Sequence, residues 1–244
     1  MRIFVFARRC AKEIVRDPLS IVFGVGFPVI LLIFMTILKQ SIRGMPEEMF
    51  ALDTFTPGMI VFGQSFIMLF LGMLVMNDRN SSFLPRLYSS PMTAADYIFG
   101  YVLPMIPIGM AQTLFGFITA WILGLKPSVY VLAVMLITVP VTLLFASLGL
   151  LLGVLFSTPA VNGISSIIIN VSALLSGTWF SLDLIGGSFK TFCNCLPFAH
   201  AVNAAANALS GDFSELLTDI LWIFGYTAVF FFFGAVIFKK KMKD

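Results

Sequence analysis

The sequence predicts an all-α, polytopic membrane protein with six transmembrane helices, an N-terminal interfacial helix and short outer surface helices between spans five and six. Two observations carry this. Of 244 residues, 59% are hydrophobic and only 11% are charged, too little charge to cover a water-facing surface. The charges also cluster, leaving uncharged gaps between Asp17 and Lys39, Asp53 and Asp78, Asp96 and Lys126, Lys126 and Asp183, and Asp219 and Lys239. Crossing a hydrocarbon core of ~30 Å takes roughly 20 helical residues, so each gap suits one span. The longest, from Lys126 to Asp183, suits two, divided at the turn signal Ser157-Thr158-Pro159.

The elements follow in order. In residues 1–17, Ile3, Phe6, Ala7, Cys10 and Ile14 recur at spacings of three and four, while Arg9, Lys12, Glu13 and Arg16 face elsewhere. That pattern predicts a helix lying in the membrane interface. Asp17-Pro18 ends it, because proline suits the first turn of a new helix and not the interior of an old one. The first span runs from Leu19 to Leu38 with a kink expected at Pro28, and the second from Phe55 to Met76. Residues 77–96 form the longest polar stretch on their side. The third span carries Pro104 and Pro107, the fourth Pro140; the fifth runs from Ala160 to Phe180, and the sixth ends at Phe238. In the outer segment, 181–215, the uncharged stretch Thr191 to Gly211 holds three asparagines and His200, costly in hydrocarbon. One or two short helices on the membrane surface are expected there, and the whole chain reads as a single permease domain.

Six spans put both chain ends on one side. That side holds eleven Lys and Arg, the other only Lys39, Arg43, Lys126 and Lys190. The bias predicts cytoplasmic termini and accounts for the net charge of +3 without invoking nucleic acid. The first apolar run begins only after five basic residues and has no cleavage site behind it, so it is expected to stay as a span. No Gly-x-x-x-x-Gly-Lys-Ser/Thr loop is present to cradle nucleotide phosphates, so the chain is not expected to be an enzyme by itself. Cys193, Cys195 and His200 sit close in sequence, but three soft ligands make a poor zinc site and surface-helix packing is favoured. No Asp, Glu, His, Lys or Arg lies within the spans, which speaks against proton-coupled pumping. If the chain transports, another chain is expected to supply the energy.

Several stretches resemble the permease subunits of type-2 ATP-binding-cassette exporters, in the branch of small drug, antibiotic and peptide exporters. Arg16-Asp17-Pro18-Leu19 followed by Phe27-Pro28-Val29 is similar to that family's interfacial helix entering its first span. Asn77-Asp78-Arg79 through Leu84-x-x-Leu87-x-Ser89-x-Pro91 resembles its cytoplasmic coupling loop, although Asn77-Asp78-Arg79-Asn80-Ser81-Ser82 stands where an acidic-basic-acidic cluster and Gly-Thr are usual. Leu175 to Phe180 resembles the end of its fifth span, and Pro197 to Ala208 with Gly211 its outer helices. The resemblance implies a half-transporter in the plasma membrane: two permeases, identical or paralogous, with two separate ATPase subunits that carry ATP and magnesium. An ion-coupled secondary transporter or an oligomeric channel or scaffold is the alternative reading.

Two sets of residues are candidates for function. In the coupling loop, Phe83, Leu84 and Leu87 share one side of a short helix and would anchor it on the ATPase, oriented by Asp78, Arg79 and Arg86 and closed by Pro91. In the spans, Gln64 and Ser65 of the second and Asn170, Ser172 and Ser176 of the fifth prefer a protein or water neighbour to lipid. They serve either as bonds between helices or as the lining of a path. In the family this chain resembles, the second and fifth spans of two copies enclose that path. The pair Gly149-x-x-x-Gly153 reads as a close-packing surface.

Overall fold

The computed structural model describes residues 2–41, 51–81 and 92–241, and all their regular structure is helical. The amphipathic N-terminal segment forms α1 (Arg2–Arg16), which buries Phe6, Ala7, Cys10 and Ile14 against the bundle. It stops before Asp17, whose carboxylate accepts the Ser20 hydroxyl at 2.7 Å across the junction. The first span then follows in three pieces: α2 (Pro18–Ile21), a π-helical turn at Val22–Gly26, and α3 (Phe27–Ser41). Proline explains the π turn. Pro28 has no N–H to give the carbonyl of Gly24, and its ring crowds that carbonyl, so the helix widens one turn earlier. The Phe27 N–H accordingly bonds to the carbonyl of Val22.

The second span, α4 (Leu52–Asn80), is the axis of the molecule. Its most apolar window is 89% buried, against 17% for the first and sixth spans. The remaining spans are α5 (Ala94–Val102) continued by α6 (Met105–Ile122), α7 (Val131–Leu155), α8 (Thr158–Leu175) and α12 (Leu216–Lys241). Among the described residues, six helices are long and apolar enough to cross a membrane, as the charge gaps require. The third span is divided at Leu103-Pro104, where Pro104 has no N–H to continue the ladder. Its first helix starts on a capping box: Thr93 accepts from the Asp96 N–H at 3.3 Å, and Asp96 accepts from the Thr93 N–H at 2.7 Å.

Lipid is as apolar as a leucine side chain, so close packing and not water exclusion holds such helices together. The pair Gly149 and Gly153 shows how. A β-carbon on Gly149 would lie 2.5 Å from the Met68 carbonyl oxygen, and one on Gly153 would lie 2.6 Å from that of Gly72. Hydrogen in place of methyl lets α4 and α7 touch backbone to backbone within one chain.

One boundary departs from expectation. The fifth span ends at Leu175, short of Phe180, because Gly177 adopts φ +80° and turns the chain back. The outer segment forms short helices between the fifth and sixth spans, as expected. It forms α9 (Leu182–Ile185), α10 (Gly187–Asn194) and α11 (Pro197–Ser210), and α11 is inserted against α4, α7 and α12. Ala201, Ala204, Ala205 and Ala208 let it approach closely, and Gly211 ends it at φ +80°. His200 tolerates this burial because it is paired. Its Nδ1 lies 2.6 Å from Asp219 Oδ1, its Nε2 lies 2.9 Å from the Asn194 carbonyl oxygen, and its ring stacks on Trp222.

Candidate coupling and transport site

At the end of the bundle that carries α1 and the close of α12, the second span runs one turn past Met76, so Asp78 and Arg79 are helical. Both turn inward. Asp78 is 2% exposed and accepts two hydrogen bonds from Arg9 of α1, at 2.5 and 2.6 Å, and a third from the Tyr101 hydroxyl at 2.8 Å. Burial alone would lower the pKa of Arg9, but the hydrogen bonds and charge of Asp78 outweigh it and hold the guanidinium above its ordinary value. Phe6 reinforces the node, edge-on to Tyr97 and Tyr101.

Arg79 reaches the other way. Its guanidinium donates to the carbonyls of Gly153, Val154 and Phe156, the last at 2.6 Å. These are orphan acceptors at the C-terminus of α7, where a cation is also favoured by the helix dipole. The pair read from sequence as orienting a loop on an ATPase therefore spends its charges inside the chain, tying α1, α4, the third span and α7 together. The reason is the extra turn of α4, which brings Asp78 and Arg79 back over the bundle. Phe83, Leu84, Arg86, Leu87 and Pro91 lie outside the described residues.

Midway along the second span, Gln64 is fully buried. Its amide nitrogen donates to the Gly109 carbonyl at 2.8 Å and to Thr113 Oγ1 at 3.2 Å, and its oxygen accepts from Thr142 Oγ1 at 2.8 Å. Thr113 in turn bonds Thr138 at 3.2 Å. This amide ties α4, α6 and α7 together. Ser65, Ser172 and Ser176 are likewise buried, each hydroxyl returned to a carbonyl three residues back, with Ser176 also sharing 2.7 Å with Thr178. Among the pathway candidates, only Asn170 is exposed.

Asn170 is not alone on its face. Ser166 and Gly163 are exposed beside it and Asn162 is half-exposed, one column at steps of three and four along α8. The Asn170 amide donates to the Ser166 carbonyl, and the Ser166 hydroxyl to the Asn162 carbonyl, both at 2.8 Å. The Asn162 side-chain oxygen and the Ser165 hydroxyl have no hydrogen-bond partner among the described residues. Around the stripe stand Ile167 at 64% exposure and Leu174 at 50%. The sequence carries the signal for the missed members: Asn162, Ser166 and Asn170 are spaced by four, which puts them on one helical face.

Among the described residues no group of three His, Cys, Asp or Glu is placed to hold a metal ion. Cys193 is buried while Cys195 is exposed, and both are free thiols. The comparison with curated proteins finds no match. The family model of the ABC-2 type transporter matches residues 1–210. With most of its 244 residues so covered, the chain belongs to the ABC-2 type transporter family and is a permease subunit of an ABC transporter.

Proposed function

We propose that this chain is the membrane half of an ATP-driven exporter, and that the polar stripe Asn162–Ser166–Asn170 on the fifth span faces the transport path. Family membership implies a partner ATPase subunit. In the proposed assembly two such subunits dock under two permeases, each held through the loop that joins α4 to α5, with both termini in the cytoplasm of a cell whose plasma membrane holds the complex. The eleven-to-four distribution of Lys and Arg supports that orientation.

The observation that carries the reading is the exposure of Asn170 and Ser166 on a span whose other exposed side chains are apolar. An amide left in hydrocarbon is costly, so the face needs a second protein surface or water. Two copies meeting there would enclose a cavity with hydroxyls and amides on one wall and Ile167, Val171 and Leu174 beside them. Without a fixed charge, such a cavity holds partly apolar, amphipathic molecules loosely enough to release them.

The test compares two amide-to-leucine changes in the permease reconstituted with its ATPase. Asn170→Leu is expected to reduce ligand-stimulated ATP hydrolysis severalfold while leaving the melting midpoint in place. Gln64→Leu is expected to lower stability by about 2 kcal/mol, three interhelical hydrogen bonds at ~0.6 kcal/mol each, with turnover per folded molecule retained. Normal transport by Asn170→Leu together with a fall in its stability would move the path elsewhere.

A further inference from the structure

Helix α1 divides its surface into three arcs. Phe6, Ala7, Cys10 and Ile14 are buried in the bundle. Phe4, 69% exposed, and Val15, 58% exposed, form an uncovered apolar edge. At about 100° per residue, Arg8, Lys12 and Arg16 come next, an exposed column at i, i+4 and i+8. An open groove of about 680 Å³ runs beside this column, with Val5 in its wall.

The charges in the groove do not cancel. Arg8, Arg9, Lys12 and Arg16 stand there against only Glu13 and Asp17; Glu13 pairs with Arg9 at 2.8 Å, and Asp17 accepts from the Ser20 hydroxyl. Arg9 is committed to Asp78 as well. Arg8, Lys12 and Arg16 have no ion-pair partner among the described residues. Three unpaired cations therefore border an uncovered apolar edge on the same two turns of interfacial helix.

We propose that this groove is a binding site for an anionic phospholipid, its headgroup phosphate on Arg8, Lys12 and Arg16 and an acyl chain along Phe4 and Val15. A soluble anion would satisfy the cations and leave Phe4 and Val15 in water. An acidic protein surface would do the same. Only a molecule anionic at one end and apolar at the other fits both arcs. The proposal does not depend on the proposed topology, because a nanodisc offers lipid to both faces. Binding can therefore be found even if the orientation fails.

The experiment uses the full chain in nanodiscs of phosphatidylcholine with or without phosphatidylglycerol, and measures retained lipid by native mass spectrometry. Each basic group near an anionic surface contributes about fivefold, so the triple variant Arg8→Gln, Lys12→Gln, Arg16→Gln is expected to retain phosphatidylglycerol about a hundredfold more weakly. Phosphatidylcholine retention and the melting midpoint should stay unchanged, and added salt should weaken binding to the wild type. Lys126→Gln, on the opposite side of the bundle, should bind as the wild type does. Undiminished phosphatidylglycerol binding by the triple variant overturns the site. A photo-crosslinker at Val5 provides a second reading in the unaltered basic column, and it should capture phosphatidylglycerol. Capture of the ATPase subunit instead, with no lipid adduct, would make this face a protein contact and overturn the proposal.

Discussion

Removing either partner of the Arg9–Asp78 pair should loosen the end of the bundle from which the coupling loop departs. Truncating one member of a fully buried ion pair costs about 3–5 kcal/mol, because the other charge stays buried without its partner. Here the Asp78 side chain is 3% exposed but that of Arg9 is 32% exposed. Arg9→Met strands the buried carboxylate and should cost about 3–5 kcal/mol, whereas water can reach the guanidinium that Asp78→Leu leaves, so about 2–3 kcal/mol is expected there. For a chain of this size that smaller loss is a fall of about 5–10 °C in the melting midpoint. Asp78→Asn keeps an acceptor for the Tyr101 hydroxyl and should lose less, about 1–1.5 kcal/mol. The assay is thermal unfolding of the purified permease in mild detergent, followed by size-exclusion of the folded fraction. The double variant Arg9→Met, Asp78→Leu should be more stable than the sum of the single losses predicts, with a coupling above about 1 kcal/mol. Strict additivity, or single variants that melt with the wild type, would show that the pair contributes nothing and that α1 is held by Phe6, Cys10 and Ile14 alone.

Two further outcomes follow from packing. Gly149→Ala places a methyl 2.5 Å from the Met68 carbonyl oxygen and 2.9 Å from its Cα; neither atom can rotate away, so about 1–3 kcal/mol should be lost. Gly225→Ala, with nothing within 4 Å, is the matched control and should be neutral or slightly stabilising in the same melt; equal behaviour of the two would refute the backbone contact between α4 and α7. In intact cells a membrane-impermeant maleimide should modify Cys195 alone, because Cys195 is exposed while Cys10 and Cys193 are buried. Burial also pushes the Cys10 thiol up to about 12, so at neutral pH it is protonated as well as shielded. Labelling of Cys195 only after the membrane is opened would invert the topology, and labelling of Cys10 in the folded protein would contradict the seating of α1.

The spans were legible because hydrocarbon excludes charge absolutely enough to write itself into the sequence. The gap from Lys126 to Asp183 and its break at Ser157-Thr158-Pro159 predict two helices, and α7 and α8 meet there. The Asp17-Pro18 junction was legible for the same kind of local reason. What stayed hidden was the rotation of each helix about its axis. Gln64 and Asn170 are both uncharged amides in apolar spans, yet one is sealed by Gly109, Thr113 and Thr142 and the other faces outward. The hydrogen-bond partners of Gln64 lie 45 to 78 residues away, so no local pattern reveals them. His200 and Asp219 posed the same problem at a separation of 19 residues. Each looks too polar to bury until the other is placed beside it. By contrast, the early end of the fifth span was written locally in Gly177, and the apolar run through Trp179 and Phe180 concealed it.

The position of Asp78 and Arg79 bears on how force could pass through this molecule. They are adjacent on the last turn of α4, and residues 82–91 follow almost at once. Asp78 fastens that turn to α1 and the third span, and Arg79 fastens it to the end of α7. On the far side of the loop, the capping box of Thr93 and Asp96 fixes the start of α5. One end of the loop thus leaves from side chains tied into the bundle, and the other from a locally capped helix start. A displacement of the proposed ATPase-docking segment would reach that turn of α4. It would act on α1, α4, α5 and α7 together. Through α4, the most deeply buried span, it would reach α8, whose polar stripe lies on the face turned away from that contact. The lipid groove shares α1 with the same node, and Arg9 and Glu13 stand both in its wall and beside Asp78. A headgroup seated there would stiffen the helix that Asp78 holds. Lipid occupancy and ATPase coupling should therefore change together when the Arg9–Asp78 pair is broken.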